Sequence, residues 1–231
     1  MKRFYERVSV TQVEGAWQVS LDARPIRTQL GGQQLVPTQA MAELLAAEWR
    51  AQGEKIDPRS FVFRDLADFA LDIIRPDRAA VIEKLLDYAG TDTLCYRADP
   101  DQPLYKRQQD LWEPLVKACE ARHAIQFTRV SGIVHRVQSD ETIAALRERL
   151  ESEDDFTLAA LLTNASLAAS LIVPLAVLED GADVPALFAA ANAEEDWQAE
   201  LWGWDTQAET VRAQRLEAFE KAAEFAAAAR A

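Results

Sequence analysis

Few residues in this chain are of types that carry chemistry, and their spacing suits it poorly. There are two histidines, His123 and His135, and two cysteines, Cys95 and Cys119. Neither histidine has Cys, His or carboxylate neighbours at metal-ligand spacing, so no metal is expected. The cysteines stand too far apart for a CxxC motif. Cys119 and His123, four residues apart, could meet on a helix face as a thiolate–imidazole dyad, but as a bare pair this is read as accidental. No Walker loop, GxGxxG or GxSxG occurs, and 8 glycines leave little from which to build a phosphate-cradling loop. Carboxylates abound, as in any acidic chain. The run Glu151-Ser152-Glu153-Asp154-Asp155 reads as a solvated helix start, favoured by the macrodipole. No catalytic residue and no cofactor is expected on these grounds.

The tryptophans are more telling. Trp197, Trp202 and Trp204 fall within eight residues of one another. At 100° per residue, Trp197, Leu201 and Trp204 share one helix face, and Glu195, Gln198 and Trp202 the opposite one. One face should be core. The other then shows a ring beside a carboxylate and an amide, which admits two readings. Either the helix is buried on both sides with Glu195 paired internally, or this face is a protein-binding patch of the kind in which Trp is enriched. At Glu48-Trp49, Trp49 continues the Met41–Leu45 stripe and reads as core.

The elements that must position these residues follow from periodicity. Val8, Val10, Trp17, Val19 and Leu21 alternate with period two, and turns are expected at Glu14-Gly15, Asp22-Ala23-Arg24-Pro25 and Gly31-Gly32. This predicts an antiparallel meander of three or four strands within the first 36 residues, needing cover on one face. Thr38 then N-caps a helix ending near Gly53. Helices are expected over residues 65–74, from Pro76 to about Ala89, and over 104–122 with a kink or break at Pro114. Residues 91–98 are ambiguous. Residues 125–137 read as a late strand pair or an extended linker. Nearly everything after Asp140 reads as helix. The fold class is α+β: a small antiparallel β-containing N-terminal domain, residues 1–85, followed by a mostly α-helical C-terminal domain, residues 86–231.

Composition excludes some function classes. The 231 residues carry 25 Lys+Arg against 38 Asp+Glu, a net charge of -13, of which -11 belongs to residues 111–231. Such a chain is a poor general binder of nucleic acid, which needs clustered cations. Two cysteines do not make a disulfide framework, so a reducing compartment is the default. The start, Met1-Lys2-Arg3-Phe4-Tyr5-Glu6-Arg7, has no apolar core of a secretory signal. Residues 158–178 are uncharged and long enough to span a membrane, but Asn164 and Pro174 make a buried helix pair the better reading, without membrane insertion.

A set of blocks in a fixed order resembles one known family. They are Lys2-Arg3-Phe4-Tyr5, Leu21-Asp22-Ala23-Arg24-Pro25 with Thr28 and Pro37, Glu48-Trp49-Arg50-Ala51-Gln52, Ile56-Asp57-Pro58, Tyr88-Ala89-Gly90-Thr91-Asp92-Thr93-Leu94-Cys95-Tyr96-Arg97, Gln109 with Trp112-Glu113-Pro114, Glu195-Asp196-Trp197-Gln198, and Trp202-Gly203 with Asp205. Together they resemble the assembly chaperones of the soluble catalytic sector of F-type ATP synthase. Within these they resemble the branch that handles the alpha subunit in mitochondria and alpha-proteobacteria. The chain departs from the pattern at Ala23, where Gly is usual, at Gln207, where an acid is usual, and at Glu194, where Asp is usual.

The resemblance implies an ATP-independent chaperone for proton-transporting ATP synthase complex assembly. Its partner would be the free alpha subunit, whose beta-facing surface it shields until assembly. An uncapped oligomer interface of that kind aggregates. By carry-over, Glu195, Gln198 and Trp202 form the partner-binding set, while Glu48 and Trp49 are structural. A monomer is expected, in a bacterial cytoplasm, or in the mitochondrial matrix for a trimmed eukaryotic form. Two other readings stand beside it: a helical scaffold or adaptor for another partner, and a carboxylate-dependent hydrolase.

Overall fold

The computed structural model describes residues 1–132 and 134–231; Ile133, within the stretch 125–137, lies outside the described residues. The chain opens with the expected antiparallel sheet. Strands β1 (Val8–Val13) and β2 (Ala16–Leu21) pair from Val8↔Leu21 to Val13↔Ala16. Their two-residue turn puts Glu14 at φ 51° and Gly15 at φ 84°, the left-handed pair whose twist matches the strands. Asp22 and Ala23 repeat this conformation, at φ 47° and 65°, without a glycine. Ala23 thus holds a left-handed conformation at a cost of about 1 kcal/mol. The Asp22 carboxylate offsets this by accepting the amides of Glu6 (3.1 Å) and Arg7 (2.8 Å). Strands β3 (Arg24–Pro25) and β4 (Leu35–Val36) both pair with β2, which is therefore central.

Thr38 caps helix α1 (Gln39–Arg50) by accepting the Met41 amide at 3.1 Å. The α1 residues Met41, Leu45 and Trp49 are buried, as are Val19, Leu21 and Val36 of the sheet. Trp49 meets Tyr5 edge-on at 5.6 Å and Phe61 at 4.4 Å, and its carbonyl accepts the Tyr5 hydroxyl. Helix α2 (Val62–Phe69) runs into a π turn, Ala70–Ile74. Phe61 supplies no capping side chain to α2. Glu48 does so from α1, accepting the amides of Phe63 (2.7 Å) and Arg64 (2.9 Å). Burial raises the Glu48 pKa and these amides oppose it. Pro76 sits in the turn before α3 (Arg78–Gly90) rather than in its first turn.

Beyond α3, a short turn leads to β5 (Tyr96–Arg97), which pairs in parallel with β6 (Val130–Ser131). Residues 125–137 thus contribute one short strand among the described residues. Helix α4 (Pro103–His123) runs through Pro114 unbroken, giving up the bond its ring cannot make, and ends at left-handed Ala124. Then follow α5 (Asp140–Glu151), α6 (Asp155–Ala168), α7 (Ile172–Val177), α8 (Val184–Ala191), α9 (Ala193–Trp202) and α10 (Thr206–Ala229). The uncharged stretch 158–178 falls in α6 and α7, and no helix among the described residues is long and apolar enough to cross a membrane. Asp92, fully buried, holds the α6–α7 joint: it accepts Ser170 Oγ (2.8 Å) and the amides of Leu171 (2.7 Å) and Ile172 (3.0 Å). Burial pushes its pKa up to about 6 against those bonds.

The fold is α+β, with the small sheet at the N-terminus and helices thereafter. Its residues group into two compact units. The first comprises Met1–Arg78, Asp154–Ala160 and Lys221–Ala231; the second, Ala79–Glu153 and Leu161–Glu220. The chain crosses between them after Arg78, after Glu153 just before α6, and inside α6 and α10, the last two where no glycine, proline or change of composition marks them. In the first unit, Phe225 packs near Phe63 (6.4 Å) and Phe156 (6.3 Å). In the second, Trp112 is fully buried and its Nε1 donates to the Ala190 carbonyl at 2.7 Å.

Candidate functional site

Helix α9, in the second unit, carries Glu195, Gln198 and Trp202. At positions i, i+3 and i+7 they share one face, and the helix spans all three. Gln198 is exposed, and Trp202 is 77% exposed. The opposite face is not core. Trp197 is half-buried and Leu201 is exposed; only Ala193 of the helix is buried. Nor does Trp204 continue that face, because the helix stops at Trp202 and Gly203 turns away at φ 86°. The expectation of a helix with one or both faces buried is thus corrected. Leu201, Trp202 and Trp204 form an exposed apolar edge.

With so little buried, α9 is held by charge. Each of its acids meets a partner from α4 or α10. Glu194 accepts Gln108 Nε2 at 2.6 Å. Glu195 receives Arg215 Nη1 at 3.0 Å. Asp196 takes the Arg212 guanidinium through both oxygens, at 2.8 and 2.6 Å. Glu200 takes Arg107 likewise, and the guanidinium beside it holds its carboxyl below the usual range. Arg107 also lies over the Trp197 ring, at 5.7 Å, and Arg212 over Phe188, at 4.7 Å. Arg215 reaches further, to Asn192 Oδ1 (2.8 Å) and the Leu167 carbonyl (3.0 Å). Paired, planar contacts of this kind fix orientation better than lysines would.

Arg107, Gln108, Arg212 and Arg215 were not singled out from the sequence. One signal was available: between Arg149 and Lys221, Arg212 and Arg215 are the only basic residues. They lie three apart, on one helix face, shortly after the acids of α9.

An apolar groove of about 460 Å³ lies beside this helix in the same unit, between α4 and the α7–α8 segment. Leu111, Pro114, Leu115, Ala186, Leu187 and Ala190 line it, and Asp110, Asp183 and the Arg122–Glu179 ion pair (3.1 Å) edge it. A shallower cleft lined by Arg107 and Trp197 shares Asp110 and Leu111 with the groove, which brings its apolar lining up to α9.

The other sequence candidates lie elsewhere. Glu48 and Trp49 belong to the first unit, as cap and core. Cys95 and Cys119 are buried; burial raises both thiols, that of Cys119 to about 12, the reverse of what a nucleophilic thiolate needs. His123 is pushed down by burial and by Arg149 and Arg122. Among the described residues, no three His, Cys, Asp or Glu side chains are placed to hold a metal.

Comparison with known proteins accords with this picture. The family model of the ATP12 chaperone protein matches residues 2–120, ending before α9. The mitochondrial protein atp12 of Schizosaccharomyces pombe is 25% identical over 214 residues, covering 87% of this chain and 74% of that protein. The crystal structure of Atp12 from Paracoccus denitrificans is 35% identical, with a TM-score of 0.93 over 99% of this chain and 98% of its own. A protein of Agrobacterium tumefaciens described as a chaperone is 37% identical, with a TM-score of 0.94 over 98% of this chain and 85% of its own. Both structures extend the likeness through α9. The chain therefore belongs to the ATP12 chaperone family, and its role is that of an ATP synthase assembly chaperone.

Proposed function

We propose that this chaperone binds the free alpha subunit of ATP synthase and covers the surface that later meets the beta subunit. The reading is supported by two apolar surfaces of the second unit: the end of α9, where Trp202 is 77% exposed together with Leu201 and Trp204, and the groove lined by Leu111, Pro114 and Leu187. Exposed aromatic and aliphatic surface of this kind is characteristic of protein interaction sites. Three of the four acids of α9, Glu195, Asp196 and Glu200, are already paired with arginines, and Glu194 accepts from Gln108. A partner can therefore cover this surface without stranding an unpaired charge, which would cost several kcal/mol. Glu195, Gln198 and Trp202 are the contact residues of this reading.

The chaperone acts without catalysis and without a cofactor. It works as a monomer that presents one face and yields it to the beta subunit. It does so in the bacterial cytoplasm, or in the mitochondrial matrix for a trimmed eukaryotic form. The test is size-exclusion chromatography with freshly refolded alpha subunit, without nucleotide, followed by addition of beta subunit. A mixed peak that keeps alpha soluble and dissolves when beta arrives is expected. Aggregation of alpha at the rate seen in buffer would remove the reading.

A further inference from the structure

The loop between β3 and β4, in the first unit, is bound to α2 and the π turn after it by three aspartates. Gln29 Nε2 donates to Asp65 (3.3 Å), the Leu30 amide to Asp72 (3.0 Å) and Gln34 Nε2 to Asp68 Oδ1 (2.6 Å). A cavity of about 200 Å³ opens where loop and helix meet, lined by these three aspartates with Leu30, Phe69 and Ile73. Asp68 is 4% exposed. Its second oxygen, Oδ2, meets no hydrogen-bond donor among the described residues; burial raises the Asp68 pKa, and Gln34, Arg64 and the Gln29 amide oppose this without cancelling it. Gln34 Oε1, on the same bonded pair, is likewise buried without a donor. Buried acceptors left empty are costly, and a native fold leaves few of them.

The missing partner is a donor, and the charge around it says which kind. Against the three carboxylates stands Arg64, which is bound to Asp65 at 2.6 Å. The site is therefore anionic and would repel phosphate or carboxylate. The rim is apolar, with Leu30 75% and Ile73 51% exposed. An ammonium or guanidinium on an aliphatic stem matches both features, the stem lying on the rim and the head in the cavity.

We propose that this cavity receives one lysine or arginine side chain of a client protein, its charged head bonded to Asp68 Oδ2 and its stem held between Leu30 and Ile73. The proposal rests on the client-binding reading only for the identity of the protein that supplies the side chain.

The test is a titration of the isotope-labelled full chain with the peptide acetyl-Leu-Arg-Leu-amide, followed by amide NMR. A matched peptide carries citrulline in place of arginine, with the same shape and no charge. Saturable shifts are expected at Leu30 and along residues 65–73, with binding at least about tenfold weaker for citrulline. Asp68→Asn, which can still accept the Gln34 amide, should show a similar loss for the arginine peptide. Equal binding of the two peptides, shifts confined to other residues, or no shift up to ~10 mM peptide would overturn the proposal. The peptide pair decides this on the unaltered protein even if the Asp68→Asn chain does not fold. No alpha subunit is present, so failure here leaves the alpha-subunit reading untouched, and the converse holds.

Discussion

Arg215 holds Glu195 at 3.0 Å while its other nitrogen bonds Asn192 and the Leu167 carbonyl, so the carboxylate on the α9 face is anchored to a guanidinium that has further partners of its own. The pair is half-exposed, with side-chain exposures of 33% and 40%. Such pairs contribute little to stability, about 0–1 kcal/mol.

Glu195→Gln should therefore fold normally. Arg215 keeps two of its partners, and the thermal midpoint should move by no more than that small contribution implies. Capture of the alpha subunit should nevertheless weaken, since the variant alters the charge of the contact face. Melting curves together with alpha-subunit pull-down check this. Normal assembly supported by Glu195→Gln would remove Glu195 from the contact set.

Trp49 and Glu48 should behave in the opposite way. Trp49→Arg puts a charge among Tyr5, Phe61 and the α1 stripe and should cost several kcal/mol. Glu48→Ala removes the side chain that caps α2 and should cost about 1–2 kcal/mol. Denaturant unfolding measures both. An unchanged midpoint for Trp49→Arg would contradict its burial.

Asp92 makes stability depend on pH. Its folded pKa, about 6, stands above the ordinary carboxyl value of 3.8, so folding takes up a proton between the two. The contribution of Asp92 is fully present below the unfolded value, falls as pH rises through the window from about 4 to about 6, and is level above it. Carboxyl carbon NMR of Asp92 should show a midpoint near the upper end of that window. A midpoint in the ordinary carboxyl range would mean that the Ser170, Leu171 and Ile172 donors outweigh burial.

Much of this was legible in the chain because it is encoded locally. The turns at Glu14-Gly15 and Asp22-Ala23, the Thr38 cap and the common face of Glu195, Gln198 and Trp202 all follow from short-range rules. The core face expected for Trp197, Leu201 and Trp204 failed for two reasons. Gly203 ends the helix before Trp204, and arginines from α4 and α10, distant in sequence, hold α9 in place of an apolar core. The role of Glu48 as a cap was hidden for the same reason. It serves amides fifteen and sixteen residues away, at a helix start with no capping residue of its own. The empty acceptor on Asp68 depends on where Gln34 and the β3–β4 loop lie, which no local pattern states.

If the exposed end of α9 captures the alpha subunit, loss of the Trp202 ring should weaken capture more than it weakens the fold. With 77% of its surface in water, Trp202→Ala should leave stability within about 0.5 kcal/mol. We would follow aggregation of freshly refolded alpha subunit by light scattering against increasing chaperone, wild type and Trp202→Ala side by side. The wild type should suppress aggregation, and the variant, equally folded, should need roughly thirtyfold more protein, the loss of one aromatic hot spot. Equal suppression by the two would place capture on some other surface.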